Sequence, residues 1–173
     1  MKNSLKLNLG CGKDTKSRYL NLDSVKLPGV DVIHNLNKYP WPFKNNTFEE
    51  IYADNVLEHL EDIVKPMEEI YRVSKNNAKI IIIVPIGLGA TADPTHKQFF
   101  SYTTFNYFEL NHGLNYYSNS RFKVKKRKIV FDEYIKIKTW FFNLSEKMQR
   151  FYYYHLSFIF PANEIHFELE TIK

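Results

Sequence analysis

Cysteine is almost missing from this sequence: Cys11 is the one thiol among 173 residues. An internal disulfide is excluded, and a reducing, cytoplasmic setting is expected. Long apolar runs are missing too. The longest aliphatic stretch, Ile80–Val84, falls far short of the ~20 residues that a bilayer-spanning helix needs, so no membrane span is expected. Met1-Lys2-Asn3-Ser4 leads straight into the first apolar stretch without a leader-like apolar core. The six histidines are scattered, with no His-x-x-x-His or Cys-x-x-Cys pair, and Asp93 with His96 is too small a donor set. No metal site is expected. The net charge of +5 permits an acidic partner without requiring one. The basic stretch Arg121–Lys128 is interrupted by Val124 and accompanied by no recognition motif. It reads as a solvated strand, and no nucleic-acid partner is expected.

Aromatic residues are plentiful at 16%, and the chain has the length of one domain with a real core. Apolar stretches predict strands at 5–9, 19–23, 30–35, 49–54 and 78–85. Ile63, Pro66, Met67, Ile70, Tyr71 and Val73 recur at helical spacing and predict a helix over 62–75, stopped at Asn76-Asn77. Thr103 is placed to cap a short helix through Leu110. Further on, 122–131 reads as a sixth strand, 138–155 as helical and aromatic, and Ile165, Phe167 and Leu169 as a half-exposed last strand.

The first strand runs directly into Gly10-Cys11-Gly12. Glycine there admits backbone angles closed to other residues and lets a ligand approach the main chain. A strand entering Gly-x-Gly is a candidate nucleotide-cradling loop at the carboxyl edge of a parallel sheet; it is equally what a tight structural turn looks like. The second strand ends in Asp23, where nucleotide-binding α/β folds place an acid for the ribose hydroxyls. Only seven residues separate Gly12 from Leu20, whereas a parallel crossover ordinarily takes about a dozen or more with a helix. An extended link of about 8–10 residues still reaches roughly 26–36 Å. Irregular crossovers are therefore expected in place of the first two helices, leaving one sheet face poorly covered. The aromatic segment 139–160 or a second subunit is expected to cover that face.

Taken in order, the Leu9-Gly10-Cys11-Gly12 loop, Trp41-Pro42-Phe43 through Phe48-Glu49-Glu50-Ile51, Leu57-Glu58-His59 and the strand 79–85 resemble the class I S-adenosylmethionine-dependent methyltransferases, nearest the small type-11-like subgroup. The resemblance is strong over 5–85 and weaker over 86–112; Phe160 to Phe167 is also similar. It implies an α/β, Rossmann-like sheet, mostly parallel with an antiparallel last strand. It implies a single domain, 1–173, with a cofactor-binding half at 1–85 and an acceptor-side half at 86–173. The cofactor implied is S-adenosylmethionine.

Under that resemblance Gly10, Cys11 and Gly12 pass beneath the methionine part of the cofactor, Asp23 takes the ribose diol, and Asn35 and Leu36 meet the adenine edge. Asp54 and Asn55 lie at the carboxyl end of strand four, where they serve either the ligand or a helix cap. Asn8 stands where the family usually has an acid. Cys11 reads as a small buried turn residue rather than a nucleophile. Glu58-His59 is expected to be structural or supporting. His96 is the candidate base for an oxygen acceptor, with Asp93 to orient it, although Asp-Pro also opens turns. Phe99, Phe100 and Tyr102 are candidates to wall the acceptor pocket. Phe151 to Tyr154, with Phe158 and Phe160, are candidates for a lid, an interface or core.

The expected activity is methyl transfer to a small or glycan-like acceptor, at oxygen. The alternative is a non-catalytic module that binds the same cofactor or a nucleotide on a degenerate methyltransferase fold. A nicotinamide oxidoreductase fits poorly: Thr15 stands where a third glycine belongs, and Asp23 follows much sooner than the usual interval of about 20 residues. A homodimer through the aromatic C-terminal surface is a further expectation.

Overall fold

The computed structural model describes residues 5–131 and 136–173; the Met1–Ser4 opening lies outside the described residues. Seven strands form one sheet: β1 (Lys6–Leu9), β2 (Leu20–Asp23), β3 (Val32–Ile33), β4 (Phe48–Asp54), β5 (Ser74–Pro85), β6 (Phe122–Val130) and β7 (Glu164–Thr171). Their order is β3-β2-β1-β4-β5-β7-β6. Strands β1 to β5 pair in parallel, and β7 runs antiparallel between β5 and β6. This is the expected mostly parallel sheet with an antiparallel last strand.

Successive side chains on a strand face opposite sides, and the register sorts them. Leu7, Leu9, Leu20, Leu22, Ile51, Ala53, Ile80, Ile82, Val84, Ile165, Phe167 and Leu169 share one face, and all are buried. Helix α1 (Val64–Val73) lays Met67, Ile70 and Val73 in the same core as Trp41, Leu57, Phe100, Phe105 and Phe108. Burial of each such large side chain contributes roughly 1.5–3 kcal/mol. The ring of Phe105 meets Phe167 edge-on at 4.8 Å and stacks near Phe100 at 5.8 Å.

The opposite face carries Asn8, Asn21, Tyr52, Ile81, Ile83, His166 and Glu168. No helix follows β1 or β2; both crossovers are turns, as the short spacings require. At the β1-β2-β4 end the 13–19 turn covers this face with polar contacts. Asn8 Nδ2 donates to the Asp14 carbonyl at 2.9 Å and to Asn21 Oδ1 at 3.0 Å; the Lys16 amide donates to Asn21 Oδ1 at 2.9 Å. The Lys16 ammonium stands 4.2 Å above the Tyr52 ring. Nearer β7, Ile81, Ile83, His166 and Glu168 remain half-buried.

Several expectations need correction. The aromatic C-terminal segment does not cover that face. It folds as α3 (Lys136–Phe142), α4 (Glu146–Phe151) and a wide turn at Tyr152–Leu156, against β6 at the opposite edge of the sheet. Asn143 there takes both backbone groups of Ile129, accepting from its N–H at 2.9 Å and donating to its carbonyl at 2.7 Å. An edge strand is closed off from further pairing by such contacts. The 62–75 helix ends at Val73, and Asn76-Asn77 lie inside β5. Asn77 has φ +59°, a left-handed conformation that asparagine tolerates, so the pair marks an irregularity in a strand rather than a helix stop. The third strand shrinks to Val32–Ile33. Thr103 caps no helix with its side chain, and 104–108 is a tight 3₁₀ turn; packing of Phe105 and Phe108 outweighs the capping signal.

Candidate functional site

Open α/β sheets bind ligands beyond the carboxyl ends of their strands. A cavity of about 310 Å³ opens there, lined by Gly10 after β1, Asp23 and Ser24 at β2, His34 to Asn37 after β3, and Asn55, Val56, His59 and Leu60 after β4. Of the sequence-predicted cofactor residues, Gly10, Asp23, Asn35, Leu36 and Asn55 line it. His34, Asn37 and His59 also line it without having been foreseen, since nothing but proximity to a strand end marks them.

Asp23 ties the glycine loop to the turn after β2. Its Oδ2 accepts from the Gly12 N–H at 2.8 Å and its Oδ1 from the Val25 N–H at 2.9 Å. A carboxylate has about four acceptor directions, so further capacity remains. Gly10 has φ +58°, and a Cβ on it would stand 2.2 Å from a Val56 methyl. Glycine is therefore required on both conformational and spatial grounds. A Cβ on Gly12, at φ +48°, would meet nothing within 4 Å, so the loop leaves room beside its backbone. Asn55, at φ +46°, turns the chain into the cavity wall. An acid at the β2 end, an open glycine backbone and amide side chains after β3 and β4 are groups that fit S-adenosylmethionine.

Four predicted residues, Asn8, Cys11, Gly12 and Asp54, are not among those that line it. Asn8 is buried on the far face and spends its amide donors on Asp14 and Asn21. Asp54 accepts from the Tyr52 hydroxyl at 2.7 Å and from Asn55 Nδ2 at 3.0 Å. Cys11 is buried, and burial, aided by Asp23, pushes its thiol up to about 11. A thiol in that state is no nucleophile near neutral pH.

A second, mostly apolar cavity of about 420 Å³ lies past the end of β5. Ile86, Leu88 and Thr91 wall one side, Phe100 and Tyr102 another, and Tyr152, Tyr153 and Phe158 of the C-terminal segment a third. Phe99 points away and is exposed. Phe151 and Tyr154 are exposed, while Tyr152 is core.

A cluster of side chains stands beside the polar cavity, which His59 lines. Leu57–His59 form one 3₁₀ turn after β4. Glu58 there is wholly buried, and neither carboxylate oxygen has a hydrogen-bond partner. Burial raises its pKa, and an unsatisfied buried polar group costs about 1–3 kcal/mol. The loop after helix α2 (Leu88–Ala92) folds back on it, the Lys97 and Gln98 N–H groups donating to the Glu58 carbonyl at 2.7 and 3.0 Å. That brings His96 against His59, ring centroids 4.9 Å apart. His96 Nδ1 bonds the Ala90 carbonyl at 2.9 Å, and its Nε2 lies 4.0 Å from Asp93. Asp93 instead accepts from the Thr95 hydroxyl and amide, both at 2.7 Å, which hold its carboxyl below the usual range. Asp93, expected to orient His96, stands too far to hydrogen-bond it; the Ala90 carbonyl holds the ring instead.

Residues 32–82 match the family described as a methyltransferase domain. A stretch of 96 residues is 35% identical to the uncharacterized protein MJ0638 of Methanocaldococcus jannaschii, covering 48% of this chain and 41% of that protein. The chain thus spans less than half of this curated relative. The fold matches the crystal structure of a SAM-dependent methyltransferase from Archaeoglobus fulgidus with a TM-score of 0.63 at 16% identity, over 95% of this chain and 85% of the other. It also matches an S-adenosylmethionine-dependent methyltransferase from Mesorhizobium loti with a TM-score of 0.57 at 12% identity, over 95% and 89%. The matched segment includes the Leu57-Glu58-His59 turn but not the glycine loop, and the structural likeness extends over the whole sheet.

Proposed function

From a class I S-adenosylmethionine-dependent methyltransferase fold with a type-11-like segment, we propose that this protein transfers the methyl group of S-adenosylmethionine to an oxygen of a small acceptor. The observation that carries the reading is the polar cavity at the ends of β1, β2 and β4, walled by Asp23, Gly10 and Asn35. The sulfonium supplies an already activated methyl carbon, so the chain's task is alignment, which can account for several kcal/mol of barrier lowering. Asp23 and Asn35 hold the nucleoside, and Gly10 and Gly12 let it lie against backbone. The apolar cavity receives the acceptor. Its aromatic walls favour an acceptor with an apolar or aromatic body over the glycan-like one. His96 Nε2 takes the hydroxyl proton.

In this reading one domain divides its labour, 1–85 for cofactor and 86–173 for acceptor, in a cytoplasmic setting. Among the described residues no helix is long and apolar enough to cross a membrane. The exposed aromatics Trp140, Phe151, Tyr154 and Phe158 are the surface proposed for a homodimer. The alternative, a binding module without chemistry, has one observation in its favour: Asn8 makes only internal contacts.

Calorimetric titration with S-adenosylmethionine and S-adenosylhomocysteine tests the reading. Both are expected to bind, and Asp23→Ala to abolish or greatly weaken the binding. Folded protein that binds neither ligand refutes it. Binding without transfer to any hydroxylated acceptor, in a broad screen, selects the module.

A further inference from the structure

The cluster beside the polar cavity holds more than a base. Glu58 presents a wholly buried carboxyl with no partner, and one donor atom from each of Glu58, His59 and His96 lies within 4.8 Å of the others. Both imidazoles are set in one tautomer by their neighbours. A carbonyl only accepts, so His96 Nδ1 carries the proton it gives to Ala90, and Nε2 keeps its lone pair. The Thr95 hydroxyl gives its one proton to Asp93 at 2.7 Å, so it must accept from His59 Nδ1 at 3.0 Å. His59 Nε2 is thereby left as a lone pair as well. Histidines whose second nitrogen is anchored to a carbonyl, or through a hydroxyl to a carboxylate, have the outer-sphere arrangement of metal ligands.

We propose that Glu58, His59 and His96 bind one divalent cation of the zinc, cobalt or manganese class. Two nitrogens and one carboxylate oxygen suit such an ion. Donors at about 2.1 Å from a tetrahedral ion stand ~3.4 Å apart, so binding draws the three together by an ångström or so. Three protein ligands leave a coordination position open. His59 lines the polar cavity, and Ala90, which anchors His96, sits between Leu88 and Thr91 of the apolar one. On the proposed methyl transfer, that open position would be offered to the acceptor oxygen. A metal-bound hydroxyl loses its proton more readily. With the ion present His96 is a ligand rather than a base, because cation and proton compete for the same Nε2 lone pair, and the hydroxyl proton is then released to solvent water. The link to the acceptor rests on the proposed methyl transfer; the ion site does not.

The test is a titration of chelator-treated protein with Co²⁺ and with Zn²⁺, read by calorimetry and by the visible cobalt spectrum. One ion per chain is expected, with visible bands that Zn²⁺ displaces. His96→Ala and Glu58→Gln should each weaken binding roughly tenfold or more, while circular dichroism stays unchanged. Thr95→Ala, which removes only the anchor of His59, should weaken it less and guards against loss through misfolding. No uptake by the folded protein overturns the proposal, as does uptake of equal affinity and spectrum in the histidine and glutamate variants. S-adenosylhomocysteine affinity is read on the same samples. Its absence beside intact cobalt binding counts against the methyltransferase reading alone.

Discussion

The two halves of the chain are held by different forces. Up to Pro85 the strands are parallel and the critical contacts are directional. Asp23 ties the glycine loop, Asn8 and Asn21 tie the first crossover, and Glu69 on α1 accepts from the Trp41 N–H at 2.6 Å while pairing with Arg72 at 2.7 Å. Arg72 also donates to the Trp41 and Phe43 carbonyls. After Pro85 the contacts are mostly aromatic: Phe105 among Phe100, Phe108 and Phe167, and Tyr152 against Phe131 and Phe142. Hydrogen bonds fix backbone to a fraction of an ångström, which a loop that must meet a ligand with its own amides requires. Aromatic packing sets volume and shape, which suits an acceptor cavity with few polar groups.

The strongest challenge to this contrast is Phe105→Ala. It empties the centre of the aromatic half and should lower stability by about 3–5 kcal/mol in urea unfolding, with cofactor affinity kept in the folded protein. A parallel fall in that affinity would mean the halves are not separable. Arg72→Ala breaks the polar tie of the first half and should lower stability by about 2–4 kcal/mol, because the Glu69 carboxylate is left partly buried and unpaired. Burial alone would raise the Glu69 pKa, but the Arg72 guanidinium and the Trp41 amide hold it below 4.5. Its contribution is thus fully present above the unfolded-state pKa near 4.5 and is lost as pH falls through the lower folded value. The acid limb of wild-type stability should flatten in Arg72→Ala.

A paired measurement sharpens the contrast at the site. Asp23→Asn removes charge-assisted hydrogen bonds worth about 1.5–3 kcal/mol and should raise the cofactor Kd roughly 10–100-fold. Tyr153→Ala should raise the acceptor KM and leave the cofactor Kd alone. Effects on the same parameter from both variants would merge the two cavities into one. Least of all, Cys11→Ala should leave methyl transfer within about twofold, since the buried thiol stays protonated near neutral pH.

Much of the sheet is legible in residue order. Alternation marks β7, an unbroken isoleucine run marks β5, and the interval from Gly12 to Leu20 is too short for a helix, which the structure bears out. The site residues next to strand ends were legible for the same reason: Asp23 and Asn35 follow from where a strand stops. Asn8 differs, because strand alternation turns its side chain to the other face, onto Asp14 and Asn21. The covering of the far face was also misjudged. Periodicity locates helices in the aromatic segment but carries no information about which edge they pack on.

The deepest divide lies between Glu58-His59 and His96. Local patterning decides strands, turns and the glycine loop because those depend on backbone sterics and side-chain spacing within a few residues. Whether a carboxyl, an imidazole and another imidazole 37 residues later (96 against 59) share one cluster depends on a loop folding back to put its Lys97 and Gln98 amides on the Glu58 carbonyl. That closure is a long-range contact, set by the packing of the whole core beneath it, and no spacing rule along the chain encodes it.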